Sequence, residues 1–293
     1  MSHNRFRIES SNGTALNRAT VELLTLNFKE GHSRASLNNP QTSRELKDYR
    51  KHLKELMEKG AIDDGTRTPY DDRKTRFNKA VIADGRLDVF LGYTTYPEFQ
   101  EDYQRTDKEN LALQQKGQQQ FADPFAYFAR PIGVAGVVIT REGKIIIGVR
   151  NNDVDGGSLC GVAGNLEYAD DISHIDLPGK LAEEAHEELG IAQENIQNSK
   201  FVGIYADPIR GDLDFAFLMF TDLPATYFTS GQWKANAIDD EHTQLISIDS
   251  YEVLQHLLND GILPSHSPHS GIMYSTQGAL MSVRPEDIGS SLA

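Results

Sequence analysis

The sequence predicts an α/β fold, a mixed sheet flanked by helices, with a smaller α+β lobe ahead of it. Three observations carry this. Two apolar strand runs, Gly133–Thr140 (GVAGVVIT) and Lys144–Arg150 (KIIIGVR), meet across an Arg141-Glu142-Gly143 turn. An amphipathic helix at Leu181–Leu189 is followed by two more strand runs, Phe201–Tyr205 and Phe215–Phe220. Nearer the N-terminus, Phe77–Ile82 and Arg86–Tyr93 flank Asp84-Gly85, a dipeptide suited to a tight hairpin. The lobe takes residues 1–121 and the main domain 122–293.

The totals narrow the function classes. The chain has 293 residues, 39% hydrophobic and 25% charged, as globular domains do. No apolar run approaches the roughly 20 residues needed to span a bilayer. The N-terminal stretch has no apolar core of a secretory signal, so a cytoplasmic location is expected. The single cysteine, Cys160, excludes an internal disulfide framework and reads as a small core residue. A net charge of −14 argues against a nucleic acid polymer as partner, because phosphate backbones are held by surplus Lys and Arg. A small phosphorylated substrate remains compatible, since bound cations invert the local charge logic.

Taken in order, residues 1–41 are polar, with one strand around Ala19–Phe28. Thr42 and Glu45 then form a capping box, Leu46, Tyr49, Leu53, Leu56 and Met57 repeat at helical spacing, and Gly60 ends that helix. In the hairpin that follows, Leu87, Val89 and Leu91 alternate as a half-buried strand should. The segment from Tyr93 to Phe99 ends the strand with polar and aromatic residues. Asp107–Ala122 is Gln-rich, a connector or an exposed helix. Arg150, at a strand end, is either a phosphate-side cation, because guanidinium matches phosphate oxygens in pairs, or half of a structural ion pair. Asp239, Asp240 and Glu241 stand just before a short strand ending at Ile248. Ser250–Asn259 reads as a helix ended by Gly261. The tail is mixed, and His266 and His269 fall in a proline-containing loop unsuited to a helical metal pair.

The chemistry concentrates between Gly161 and Ile191. The helix there carries four glutamates within six residues, Glu183, Glu184, Glu187 and Glu188. Wound at about 100° per residue, Leu181, Ala182, Ala185 and Leu189 share one arc, and Glu184, Glu187 and Glu188 gather on the opposite side. Like charges at such spacing repel by a few tenths of a kcal/mol per pair, roughly. A solvated face is the commoner outcome for such a helix alone. A hard divalent cation would remove the repulsion, since it prefers carboxylate oxygens. Gly161 and Gly164 ahead of the helix permit close approach of a ligand, and Gly190 suits its C-terminus.

This stretch resembles the Nudix box: a glycine, five residues, a glutamate, seven residues, then Arg-Glu-aliphatic-x-Glu-Glu-x-Gly-aliphatic. Gly164 takes the leading glycine, Asp170 the first glutamate, and Glu183-Glu184-Ala185-His186-Glu187-Glu188-Leu189-Gly190-Ile191 the closing block. Three departures stand out. The loop after Asp170 is five residues longer than the pattern, Asp replaces Glu, and Glu183 replaces the arginine that orients the box carboxylates. Lys180, one turn earlier, is the candidate to take over that task. Upstream, Lys74-x-Arg76, the hairpin and LGYTTYPEF resemble the N-terminal region of eukaryotic Nudix proteins that hydrolyse UDP-glucose and UDP-galactose.

The resemblance implies a Nudix-type α/β/α sandwich. It implies Mg²⁺ (with Mn²⁺ as substitute) held by Glu184, Glu187, Glu188 and the Gly164 carbonyl, and Glu187 or Glu241 as base. Arg76, Tyr96 and Arg150 would contact a small nucleotide-sugar substrate, cleaved to nucleoside monophosphate and sugar 1-phosphate. The same box serves ADP-ribose and dinucleotides such as NADH or Ap₄A. A nucleotide-sugar-binding module without turnover is the rival from another class, made live by Glu183. Neither a membrane nor a nucleic acid polymer is an expected partner, and the sequence sets no oligomeric state.

Overall fold

A computed structural model describes residues 15–33, 51, 73–151, 156–168, 171–261 and 270–288. The helix expected from Thr42 to Gly60 lies outside the described residues apart from Lys51, and Asp170, His266 and His269 lie outside them altogether. In chain order the strands are β1 (Thr25–Glu30), β2 (Arg73–Ala83), β3 (Arg86–Thr95), β4 (Ile132–Ile139), β5 (Ile145–Arg150), β6 (Leu159–Cys160), β7 (Val162–Asn165), β8 (Ile196–Ala206), β9 (Leu213–Thr221) and β10 (His242–Ile248). The α-helices are α1 (Arg18–Val21), α2 (Tyr96–Gln104), α3 (Asp107–Phe121), α4 (Leu177–Leu189), α5 (Ala225–Thr229), α6 (Tyr251–Asp260) and α7 (Tyr274–Met281).

The main sheet has seven strands in the order β10-β5-β4-β9-β8, with β6 on β5 and β7 on β4. It is mixed: β4 and β9 run parallel, the other pairs antiparallel. β4, IGVAGVVI, is buried at all eight positions, as a strand covered on both faces must be. Its two faces feed two apolar clusters. Val134 and Val138 pack with Leu181, Ala185 and Leu189 of α4. Val137 and Ile139 pack with Leu254 and Leu257 of α6 and with Ala279 and Leu280 of α7. The sheet is therefore sandwiched between α4 and the α6–α7 pair, the layered arrangement the sequence leads one to expect.

The smaller sheet is β1-β3-β2, with β1 parallel to β3 and β2 antiparallel to it. Asp84 and Gly85 take φ of 52° and 71°, the left-handed pair a two-residue hairpin turn requires. Where one strand was expected over Ala19–Phe28, the chain makes the short α1 and then β1. Asn17 accepts the Thr20 N–H and starts the helical turn. Past β3, Thr95 and Glu98 form a reciprocal capping box and open α2, where only a break was expected. Asp107–Phe121 is a helix, with its own Thr106–Glu109 capping box. The two sheets are stitched together: Thr75 N–H donates to Leu166 O at 2.8 Å, and Phe77 N–H to Arg130 O at 3.1 Å.

One helix-face expectation needs correcting. Taking Leu181 as zero, Ala185 and Leu189 fall at about +40° and +80°, and Glu188 and Glu184 at about −20° and −60°. The carboxylates thus begin beside the apolar arc instead of opposite it. Glu188 is accordingly buried, 2% exposed, and Glu184 and Glu187 are half-buried at the flank.

Candidate functional site

The helix α4 begins on Asp176, whose carboxylate accepts the Gly179 N–H at 3.0 Å. It ends at Gly190, φ 63°, whose N–H donates to the His186 carbonyl while the Ile191 N–H donates to that of Ala185. β7 lies against it and brings Gly164 to Glu184. A Cβ on Gly164 would sit 2.0 Å from Glu184 Cδ, so only glycine leaves room for that carboxylate. Lys180 Nζ is 2.7 Å from Glu184 Oε1 and 3.3 Å from Glu183 Oε2. Lys180 thus pairs with both glutamates from one turn earlier on the same helix.

Glu188 turns inward and is gripped at both oxygens. Oε1 accepts the Ala163 N–H at 3.0 Å, and Oε2 lies 2.9 Å from His242 Nε2. The imidazole, from the start of β10, lies over Gly148, where a Cβ would be 2.1 Å from Nδ1. Its Nδ1 is 3.5 Å from Cys160 Sγ, which makes a buried Cys160–His242–Glu188 line. Burial pushes the His242 pKa down to about 4, so the ring is neutral near pH 7, and pushes the Cys160 thiol up to about 12. Cys160 is therefore an inert thiol, as its core reading implies.

The loop carrying Glu241 is tied to the same helix. Ile238 N–H and Asp239 N–H both donate to the Glu187 carbonyl, at 2.8 and 2.9 Å. Asn151 N–H in turn donates to Glu241 O at 2.8 Å. Arg150 Nη1 stands 3.9 Å from Glu241 Oε2. Burial raises Glu184 above its ordinary value, with Glu187 and Glu241 adding repulsion against the pull of Lys180. Burial also holds Glu188 well above the usual carboxylate range, and Glu241 and Glu184 push it further. Glu184, Glu187, Glu188 and Glu241 therefore share one field.

In donor chemistry this set suits a hard divalent cation: oxygen ligands whose mutual repulsion a cation would relieve. In arrangement, no three His, Cys, Asp or Glu side chains among the described residues are grouped to hold a metal ion. Lys180 occupies Glu184, and His242 and Ala163 occupy Glu188.

Arg76 and Tyr96 lie elsewhere. Arg76, 2% exposed, donates from its guanidinium to the carbonyls of Phe125 (3.0 Å) and Phe128 (3.3 Å), fastening the turn before β4. Tyr96 opens α2 and packs its ring on Phe99, centroids 6.1 Å apart. Asp239 and Asp240 sit in the loop with Glu241, and Asn151 Nδ2 donates to the Asp240 carbonyl at 3.0 Å. His242 carried no signal in sequence, because its partner is 54 residues away. A second acidic group was also missed. Asp212 Oδ2 accepts from Tyr103 (3.1 Å) and Tyr274 (3.0 Å), its Oδ1 is buried without a partner, and burial raises its pKa to about 7. Asp214 beside it is raised to about 6 by burial. The Asp-Leu-Asp alternation at 212–214, which puts both carboxyls on one strand face, was the available clue.

No protein-family model matches the chain, and no curated protein matches it. Among solved structures it is similar to a MutT NUDIX hydrolase from Burkholderia pseudomallei, at 17% identity over 53% of this chain and 98% of that one, TM-score 0.34. It is similar to the NUDIX domain of Shewanella oneidensis NrtR, solved with ADP ribose, at 13% identity over 48% and 86% of the two chains, TM-score 0.32. A NUDIX-family hydrolase from Clostridium perfringens gives 12% identity over 52% and 95%, TM-score 0.30. Likeness this slight assigns neither family nor function. No helix among the described residues is long and apolar enough to cross a membrane.

Proposed function

We propose that the chain hydrolyses a phosphoanhydride in a small nucleoside diphosphate compound, with Mg²⁺ as cofactor. The observation that supports this is the placing of Glu184 against Gly164, in one field with Glu187, Glu188 and Glu241. Those glutamates, with the Gly164 carbonyl, would hold the cation. When bound, magnesium supplies charge neutralisation on the diphosphate and lowers the pKa of water. The chain's own part is positional. Lys180 fixes Glu184, and Ala163 and His242 fix Glu188. Glu241, half-exposed and held near Arg150, takes the proton of the attacking water at a carboxylate oxygen, with Glu187 as the second choice. Arg150 offers a guanidinium edge to a phosphate.

The substrate class rests on the upstream resemblance. UDP-glucose or UDP-galactose would give UMP and hexose 1-phosphate, with the 1–121 lobe bordering the pocket of the 122–293 domain. ADP-ribose and dinucleotides use the same chemistry. A specific observation favours a second reading, a nucleotide-sugar-binding module without turnover: both Glu184 and Glu188 are already engaged by Lys180 and His242. Incubation with Mg²⁺ or Mn²⁺ and a panel of UDP-glucose, UDP-galactose, ADP-ribose, NADH and Ap₄A decides between them. Release of phosphate esters, reduced by about 10²–10³ in Glu184→Gln, is expected. Saturable binding with no release for any of the five would establish the second reading instead.

A further inference from the structure

The smaller sheet carries a cavity that the carboxylate site does not use. It measures ≈ 650 Å³, lies between β2, the end of β1 and the turn after α3, and shares no lining residue with the glutamate group. Its size falls within the roughly 300–1,000 Å³ common for small-molecule sites. On its wall is Arg130, 8% exposed and sandwiched between two rings, its guanidinium carbon 4.7 Å from the Phe77 centroid and 4.8 Å from that of Phe125. The sandwich fixes the guanidinium plane. Nη1 donates to Asn78 O at 3.0 Å, while Nε has no partner. No ion pair to Arg130 occurs among the described residues. Burial lowers its pKa to about 9, against the pull of Asp123, so it stays charged near neutrality.

The backbone is also held under strain. Only three non-glycine residues among those described have positive φ. Asp84 is in the hairpin turn and Ala122 caps α3, but Arg130 (φ 50°) serves neither purpose. Left-handed backbone is disfavoured for a non-glycine residue by the clash of its Cβ, and such strain persists where the surrounding structure holds a side chain in place. A buried unpaired cation is likewise a standing cost, relieved when an anion arrives. Around it, Lys79 lines the same cavity from the exposed side with its ammonium over Phe90. Asn78 Oδ1 is buried without a donor, and Asp123 and Glu30 add acceptors at the rim. Cation and acceptors together describe a ligand with both an oxyanion and hydroxyl groups.

We infer that this cavity is a second ligand site, in which Arg130 receives the oxyanion of a small polyhydroxylated metabolite and the rim carboxylates of Asp123 and Glu30 receive its hydroxyls. A planar guanidinium edge pairs with either a phosphate or a carboxylate. The proposal is independent of the hydrolase reading and is tested by binding alone. The full-length protein is titrated with ribose 5-phosphate and, separately, with gluconate, by calorimetry and by ¹⁵N NMR of the Arg130 Nε–H. The expected result is saturable one-to-one binding of at least one probe with a shift of that resonance. Affinity falls by about tenfold or more in Arg130→Gln, and by several-fold in Lys79→Gln, whose exposed position leaves folding intact. Glu184→Gln leaves it unchanged. Tighter binding of the phosphate or of the carboxylate assigns the oxyanion. No saturable binding of either probe, or equal affinity in wild type and Lys79→Gln with an unmoved Arg130 signal, overturns it.

Discussion

His242 Nε2 lies 2.9 Å from Glu188 Oε2, with both side chains 3% exposed or less. A strand-end histidine thus completes the grip on a helix glutamate that the backbone of Ala163 begins. Removing the ring leaves a buried carboxyl oxygen without its partner. His242→Leu is expected to lower stability by about 1–3 kcal/mol in urea denaturation. His242→Gln, whose amide reaches a similar point, is expected to recover most of it. Equal losses in both variants would show that ring packing against Trp233, 6.4 Å away, matters more than the contact with Glu188.

Gly164→Ala separates geometry from stability. The added methyl meets the end of a flexible side chain, so the fold yields by moving the Glu184 carboxylate. Turnover on the best substrate of the panel is expected to fall by about 10²-fold, because displacements near 1 Å cost that much. The thermal midpoint should shift little. A variant with wild-type turnover would remove Glu184 from the reaction.

Glu184→Gln discharges a half-buried carboxylate among like charges, so the variant is expected to be at least as stable as the wild type in the absence of metal. Magnesium should reverse the order. At about ten times its Kd it stabilises the wild type by about 1.4 kcal/mol and the variant by much less, as thermal melts with and without Mg²⁺ would show. Identical melts for the wild type with and without cation would count against a magnesium site there.

Asp212 gives a pH dependence of definite sign. Its folded pKa, about 7, stands above the reference 3.8. The native state therefore binds the proton more tightly than the unfolded chain, and the associated stability is complete below pH 3.8 and lost as pH rises towards 7. Asp212→Asn removes this term and keeps an acceptor for Tyr103 and Tyr274. Measured by urea midpoints, the variant should gain on the wild type between pH 5 and pH 8. A constant difference across that range would mean that Asp212 is ionised throughout.

Local chemistry made much of the fold legible. The Asp84-Gly85 turn, the buried β4–β5 hairpin and the Gly190 and Gly261 helix ends all announce themselves within a few residues. Thr95–Glu98 is equally readable as a capping box, although the polar and aromatic residues from Tyr93 to Phe99 suggest a break. The site was legible in part. Glu184, Glu187 and Glu188 share a helix, so their spacing gives their neighbourhood. What covers them comes from β7 and β10, and no local pattern joins Ala163 or His242 to Glu188. Arg76 is a similar case: its guanidinium donates to the carbonyls of Phe125 and Phe128, 49 and 52 residues further along the chain, which no local pattern announces.

The Glu187 carbonyl, receiving the amides of Ile238 and Asp239, works as a peg from which the next stretch of chain hangs. Two residues further on, the leash has paid out at most about 7 Å before Asn151 N–H takes hold of the Glu241 carbonyl. Glu241 is therefore moored at both ends, by the helix terminus and by the chain leaving β5, and not only by its own loose contact with Arg150. A longer leash alone would leave the glutamate moored; both lines would have to be cut to set it adrift.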